Sequence, residues 1–404
     1  MGEKTYSSKR WLILVLTFLA CGMPYYIEYQ VAPLAPKLTA MLHLSTSQFS
    51  SIFTAPLISA IFFSIVAGML VDKYGVKIVI GVGLVISTIG TALRPTAGVY
   101  GTMLLYTFLA GFGAAFANAS APKIVRAWFP PQQLGAMVGI VVAGSSVLMG
   151  AGLATTALFP SVNSAFNFGT ILIVIVLVLW FLLMKNPEKN SESAEVSSVP
   201  MGESLKHSVK SPGVWLCALC LMCIFGGAIT LSALLPTALI GRGINAAAAG
   251  GYTSFIMLGS IIGCILSPIL VSKMGHKVVL FLCALVAAIG IAFGWLAPQG
   301  VLLAIVMIIV GITYGGSIPV LMSIPIQLKE IGPTYAGTAG GVLGTLQMFG
   351  AVVIPTYVLA VIAGSNMHLL FLLAGIVMAV TFVLALFLPK LGAHEQKESA
   401  VAAE

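Results

Sequence analysis

Ten of the chain's eleven acidic residues fall in polar tails or connections, and Glu28 is the exception. It stands in Gly22-Met-Pro24-Tyr25-Tyr26-Ile-Glu28-Tyr29-Gln30, the second half of an apolar run over residues 11–36. A charged, unpaired carboxylate among apolar groups is costly, so Glu28 is expected to be paired or to spend part of its time protonated. Such a group can carry a proton or hold a cationic part of a small molecule. Tyr25 lies three residues earlier on the same helix face, and Tyr29 one turn from Tyr25. Tyr25 is the expected hydrogen-bonding neighbour of Glu28. Tyr29 fits equally an aromatic belt at a membrane surface. Asn118, Tyr314 and Gln347 are further polar side chains in apolar runs and join Glu28, Tyr25 and Tyr29 as candidates for lining a solute path.

A second group of chemistry-bearing residues is packed into one short connection, Gly68-Met-Leu-Val-Asp72-Lys73-Tyr-Gly75-Val-Lys77. Two hundred residues later it returns as Pro268-Ile-Leu-Val-Ser272-Lys273-Met-Gly275-His-Lys277. The same offset pairs Pro36 with Pro236 and Leu44-Ser45 with Ile244-Asn245. A repeat of this length in an apolar chain predicts two bundles built alike, related by a pseudo-twofold axis. Asp72 is expected to pair with a base, Arg126 for choice, or to sit at a helix N-terminus of the other half. Gly68, Asp72, Lys73, Gly75, Lys77 and Arg126 then form a gate on one side of the membrane. The six cysteines lie in apolar runs. Cys217, Cys220 and Cys223 share a helix stripe without His or carboxylate neighbours, so they read as packing residues and not as a metal site.

These residues need elements to position them, and composition says which. The chain of 404 residues is 59% hydrophobic and 7% charged, more apolar surface than a water-soluble fold of that length can bury. Twelve runs are long enough to span a bilayer: roughly 11–36, 47–71, 76–96, 99–122, 132–158, 165–185, 213–239, 247–271, 276–297, 299–325, 334–363 and 367–389. The prediction is an all-α membrane protein, twelve transmembrane helices in two pseudo-symmetric six-helix bundles. The bundles cover 1–185 and 213–404, joined by a polar linker over 186–212 whose last part, Met201 to Lys210, can form a surface helix. With both termini in the cytoplasm, sixteen of the nineteen Lys and Arg fall on the inner side; the outer side holds only Lys37, Arg94 and Arg242. That distribution accounts for the net charge of +8 without a nucleic-acid partner. The first run is too long for a signal-peptide core and is read as a retained helix. Pro33 and Pro36 are expected to close it, Ser45 with Gln48 to cap the second, and Arg94-Pro95 to lie at the outer surface.

The 68–77 motif resembles the loop between helices 2 and 3 of the major facilitator superfamily, whose acid, two glycines and trailing base it matches at their spacing. The stretch from Ala110-Gly-Phe-Gly through Asn118 to Trp128-Phe-Pro-Pro131 is similar to the helix 4–5 region of the superfamily's cyanate permease and nitrate porter branches. Arg94 also sits where cyanate permease-like proteins tend to carry an arginine. The usual base after W-F-P-P is missing, since Leu134 precedes Gly135. The nitrate porters' arginines in helices 2 and 8 have no counterpart here, nor do the helix 8 and 11 cations of oxalate-type carriers. Helix 5 lacks the G-P pair of drug:proton exporters. The resemblance implies that the glycine-rich helices 5 (Gly135, Gly139, Gly144, Gly150, Gly152) and 11 (Gly337, Gly340, Gly341, Gly344, Gly350) belong to the interface that moves between the halves.

Function classes narrow accordingly. Two repeated six-helix bundles suit secondary transport by alternating access, with energy from an ion gradient or an exchanged solute. A membrane sensor that binds a solute without moving it is the alternative. There is no phosphate loop, no His/Asp/Glu cluster and no nucleophile with a positioned base, so an enzyme is not expected, nor a cofactor. The expected partners are a small-molecule substrate, protons and the bilayer of the cytoplasmic membrane, and the expected state is a monomer. A doubly charged anion is disfavoured because no central base would offset its desolvation, and a small neutral, zwitterionic or singly charged solute, a small organic acid among them, fits better.

Overall fold

The computed structural model describes residues 9–130, 133–185, 201–328 and 330–388. The expected linker residues 186–200 lie outside the described residues. Among the described residues the protein is helical, and twelve helices are long and apolar enough to cross a membrane. They are called spans 1 to 12. Span 1 is Arg10–Tyr29, span 2 Thr46–Tyr74 and span 3 Val76–Leu93; span 4 is Tyr100–Ala110 with Phe112–Trp128, span 5 Leu134–Thr156 and span 6 Val162–Leu183. After a surface helix, Met201–Lys210, come span 7 (Pro212–Gly241), span 8 (Ala246–Met274), span 9 (His276–Phe293) and span 10 (Val301–Ser323). Span 11 is Gly332–Val353 prolonged by Ile354–Leu359 and Ala360–Ala363, and span 12 is Met367–Phe387.

The offset of two hundred carries into the backbone. Spans 2 and 8 are both 29 residues, spans 3 and 9 both 18, and each pair starts at the same offset. A helix of that greater length runs about 44 Å, more than a hydrocarbon core of about 30 Å, so spans 2 and 8 must tilt or project beyond it. Between the members of each pair the chain turns at a glycine held in the left-handed half of φ space, Gly75 at 82° and Gly275 at 80°. A side chain would be strained there, which is why the motif keeps glycine at that place. The residue after the turn is tied down in both halves. Trp180 Nε1 donates to the Lys77 carbonyl (3.0 Å), fixing span 6 to span 3, and Lys277 Nζ donates to the Leu386 carbonyl (3.1 Å), fixing span 9 to span 12.

The cap on span 2 is as expected: Ser45 Oγ accepts from Gln48 N at 3.2 Å and Gln48 Oε1 from Ser45 N at 2.9 Å. Its counterpart, Asn245, accepts from Ala248 N at 2.8 Å. Pro33 and Pro36 do not close the first helix. That helix already ends at Tyr29, and both prolines occupy first-turn positions of the short helices after it, Ala32–Leu34 and Ala35–Leu42, the second stopping at His43 with φ of 51°. A first-turn proline sacrifices no hydrogen bond, because that N–H has no helical acceptor. Span 4 breaks at Gly111, where a Cβ would stand 2.5 Å from Pro56 Cα of span 2.

The chain divides into two compact units, Met1–Ala194 with Ser232–Ser254, and Glu195–Leu231 with Phe255–Glu404. Residues Ser232–Ser254, the second part of span 7 and the start of span 8, join the first unit through contacts such as Gly250 against the Leu153 carbonyl. In that unit span 1 lies against span 5. Gly22 and Gly144 face each other, a Cβ on Gly22 standing 3.0 Å from the Gly144 carbonyl, and Gly152 is as close to the Tyr26 carbonyl. Gly144 and Gly152 therefore serve close packing inside one unit and not only an interface that moves. In the second unit, Gly350 of span 11 meets Met222 of span 7 in the same manner, while Gly340, Gly341 and Gly344 have open space around them. The surface helix Met201–Lys210 is present, its His207 ring stacked on Tyr335 at 4.7 Å.

Candidate functional site

The second half of span 1, with Gln30 just after it, sends side chains to several helices of the first unit. Successive residues on a helix step by about 100°, so neighbours along it can face different helices. Tyr26 turns to span 5, its hydroxyl 2.9 Å from Thr155 Oγ1. Ile27 packs with Ile173 and Val176 of span 6. Tyr29 turns to span 2 and meets the edge of Phe53, ring centroids 5.2 Å apart. Gln30 reaches span 6, donating from Nε2 to the Ala165 carbonyl at 2.6 Å. Pro24, one turn earlier, is matched on span 4 by Gly113, where a Cβ would be 2.8 Å from the proline ring.

Glu28 is held inside this ring of contacts, 1% exposed, and its Oε1 has no hydrogen-bond partner. Tyr25 is half-buried and within electrostatic reach of Glu28. Tyr29 is buried within the unit, which removes it from an aromatic belt at the bilayer surface.

Arg94 follows the end of span 3, and its side chain turns into the unit and not outward. It is 1% exposed, and its Nη1 donates to the Ile27 carbonyl, one residue from Glu28, at 3.0 Å. Its guanidinium carbon lies 5.0 Å from the centroid of the Phe166 ring, while Nε and Nη2 have no hydrogen-bond partner. The chain turns into the 3₁₀ segment Arg94–Thr96 at this residue, which folds the side chain back under span 1. The first unit thus buries a carboxyl and a guanidinium on adjoining helices, with Glu28 Oε1 and Arg94 Nε and Nη2 all unbonded. Buried groups of this kind are rare unless something else uses them.

In the second unit Tyr314 is half-buried, edge-on to Phe225 at 5.7 Å, and Gln347 is 9% exposed with Oε1 unbonded. Lys73 is exposed, its Nζ 5.2 Å from the Tyr74 ring, and Arg126 is exposed at the last turn of span 4. Gly75 makes the turn described above. Gly68 and the side chains of Asp72 and Asn118 lie outside the described residues, though their backbones are helical.

Twelve apolar helices in two repeated sets define a multi-pass membrane protein. The family model of the Major Facilitator Superfamily matches residues 11–355, and the chain belongs to that superfamily. It is similar to a hexuronate transporter of Bacillus subtilis (strain 168), 24% identical over 217 residues, 50% of this chain and 51% of that one. It is also similar to a probable nitrate/nitrite antiporter of Thermus thermophilus, 29% identical over 243 residues, 56% of this chain and 53% of that one. The chain thus spans about half the length of these relatives. Among solved structures, a bacterial homologue of the human lysosomal transporter Spinster superposes with a TM-score of 0.76 at 14% identity, covering 96% of both chains.

Proposed function

We propose that the protein is a proton-coupled secondary transporter of a small, singly charged organic or inorganic anion. It works by alternating access in the cytoplasmic membrane with both termini inside. The observation that carries this reading is Glu28, a carboxyl enclosed in the first unit with Oε1 unbonded. A neutral, protonated Glu28 is the form such a place tolerates, and deprotonation needs water or a compensating charge to arrive. A conformational cycle that admits water from alternate sides supplies that change. The anion reading draws on relatives named for hexuronate and for nitrate/nitrite. It also draws on Arg94, since one buried cation suits one negative charge and not two. Tyr25 is proposed as the hydrogen-bonding neighbour of Glu28, with Asn118, Tyr314 and Gln347 along the solute path.

The test is uptake into proteoliposomes of a panel of hexuronates, smaller monocarboxylates, cyanate and nitrate, with and without an inward proton gradient. Accumulation of at least one monoanion only when the gradient is imposed supports the reading. Binding of a panel member with no flux under any gradient would favour a solute sensor instead.

At the inner surface we propose that Asp72 closes the gate by pairing with Arg126. Asp72→Asn should cut transport by about tenfold or more while leaving the amount of folded protein unchanged, because a latch of roughly 1.4 kcal/mol sets a tenfold ratio of states. Near-normal flux in that variant would remove the latch.

A further inference from the structure

At the end of the first unit where the chain begins, the first turn of span 1, the end of span 4 and the end of span 6 enclose a cavity of about 180 Å³. Lys9 and Lys185 line it, with Trp128 and the aliphatic side chains Leu12, Leu182 and Leu183. The indole N–H of Trp128 is buried and has no hydrogen-bond partner, so the wall offers a donor that wants an acceptor. Residues next to the wall pack on one another. Trp11 meets Phe129 edge-on at 5.6 Å, and the Arg10 guanidinium lies 5.5 Å and 5.7 Å from those two rings.

The cavity is smaller than the roughly 300 Å³ at which pockets for drug-sized solutes begin. It sits where spans 1 and 6 end at the membrane surface, and the helix faces leading away from it are apolar and exposed. Leu182 is 71% exposed, Val178 49% and Leu12 42%. Two lysines and an indole donor at the headgroup level, above an apolar face that acyl chains can follow, match one class of molecule. We propose that this cavity binds the headgroup of an anionic phospholipid, the phosphodiester accepting from Trp128 Nε1–H between Lys9 and Lys185. The site is independent of the transported solute.

The experiment uses the full-length protein, mixed in detergent with equal amounts of phosphatidylglycerol and phosphatidylcholine and examined by native mass spectrometry. Wild type should retain phosphatidylglycerol in preference. The double variant Lys9→Gln/Lys185→Gln should lose roughly thirtyfold of that preference, each lysine contributing about fivefold near a charged surface. Trp128→Phe, which keeps the ring and removes the donor, should weaken retention of phosphatidylglycerol severalfold. Equal retention of the two lipids by wild type overturns the proposal, as does an unchanged preference in the double variant. Displacement of the lipid by an equal concentration of glycerol phosphate would also overturn it, since a site for soluble phosphate needs no acyl chain. Should the double variant not purify as a single species, Lys185→Gln alone, at an exposed position, decides by the same criterion.

Discussion

Glu28→Gln should abolish accumulation of the substrate driven by a proton gradient while leaving exchange of labelled for unlabelled substrate intact. Glutamine has nearly the shape of a protonated glutamate and keeps both polar atoms, so the packing around Tyr26, Tyr29 and Gln30 has no reason to change. What it cannot do is release a proton. For one proton carried with one monoanion, each pH unit across the membrane is worth about 1.4 kcal/mol, or about tenfold accumulation at equilibrium. Because the pair carries no net charge, accumulation should not respond to membrane potential, whereas each uncompensated charge would be worth about 2.3 kcal/mol per 100 mV. The variant should therefore show no accumulation of its substrate at any imposed pH difference. Loss of exchange together with accumulation would move Glu28 from proton carrier to a group that holds a cationic part of the substrate. Unchanged gradient-driven accumulation would defeat both roles.

The fold was written plainly in the chain, and the reason is lipid. A helix of about 20 residues must be apolar throughout to cross a bilayer, so spans announce themselves by hydropathy without tertiary knowledge. The glycine turns were equally legible, because only a glycine tolerates the φ that Gly75 and Gly275 adopt. Glu28 could be singled out for the converse reason, as the acid inside an apolar run of the sequence. What hydropathy does not register is a partner in three dimensions. Arg-Pro at the end of an apolar run reads as a surface boundary, and nothing local says that the Ile27 carbonyl waits 67 positions back along the chain. Nor does local pattern say that Tyr29 meets Phe53 or that Gly144 meets Gly22.

One signal for Arg94 was present in the internal repeat. At the offset of two hundred Glu28 becomes Ala228 and Arg94 becomes Gly294, so both buried charges are lost together from the second half. The linkage runs further. Tyr26 and Thr155, hydrogen-bonded in the first unit, become Gly226 and Pro355. With no side chain at 226, span 11 approaches span 7 until a Cβ there would stand 2.5 Å from Ile354 Cδ1, and at Ile354–Leu359 the helix widens to a π-helical stretch. Proline at 355 removes one backbone donor from that turn, which is a sufficient cause for the irregularity. A duplicated scaffold has thus kept its polar network in one copy and packed the other.

Arg94→Gln should raise the KM for the anionic substrate by about tenfold to a hundredfold, the loss expected when a hydrogen bond to a charged group worth roughly 1.5–3 kcal/mol is removed. Two roles compete for this residue. As a structural tie it joins span 3 to span 1 through the bond to Ile27 and stacks on Phe166. As an anion partner it uses its charge and the N–H groups at Nε and Nη2. Glutamine and lysine separate the two. Either can still donate to the Ile27 carbonyl, but only lysine keeps the charge. If the residue is a tie, both variants should behave alike, losing stability together and altering KM and the maximal rate without regard to substrate charge. If it is the anion's partner, Arg94→Lys should retain most of the affinity, although without the planar fork that fits a carboxylate. Arg94→Gln should then lose affinity while unfolding at a temperature close to that of wild type, because the cost of an incompletely bonded buried cation disappears with the charge. Equal KM values for the two variants would leave Arg94 as a strut and return the search for the anion's partner to the second unit.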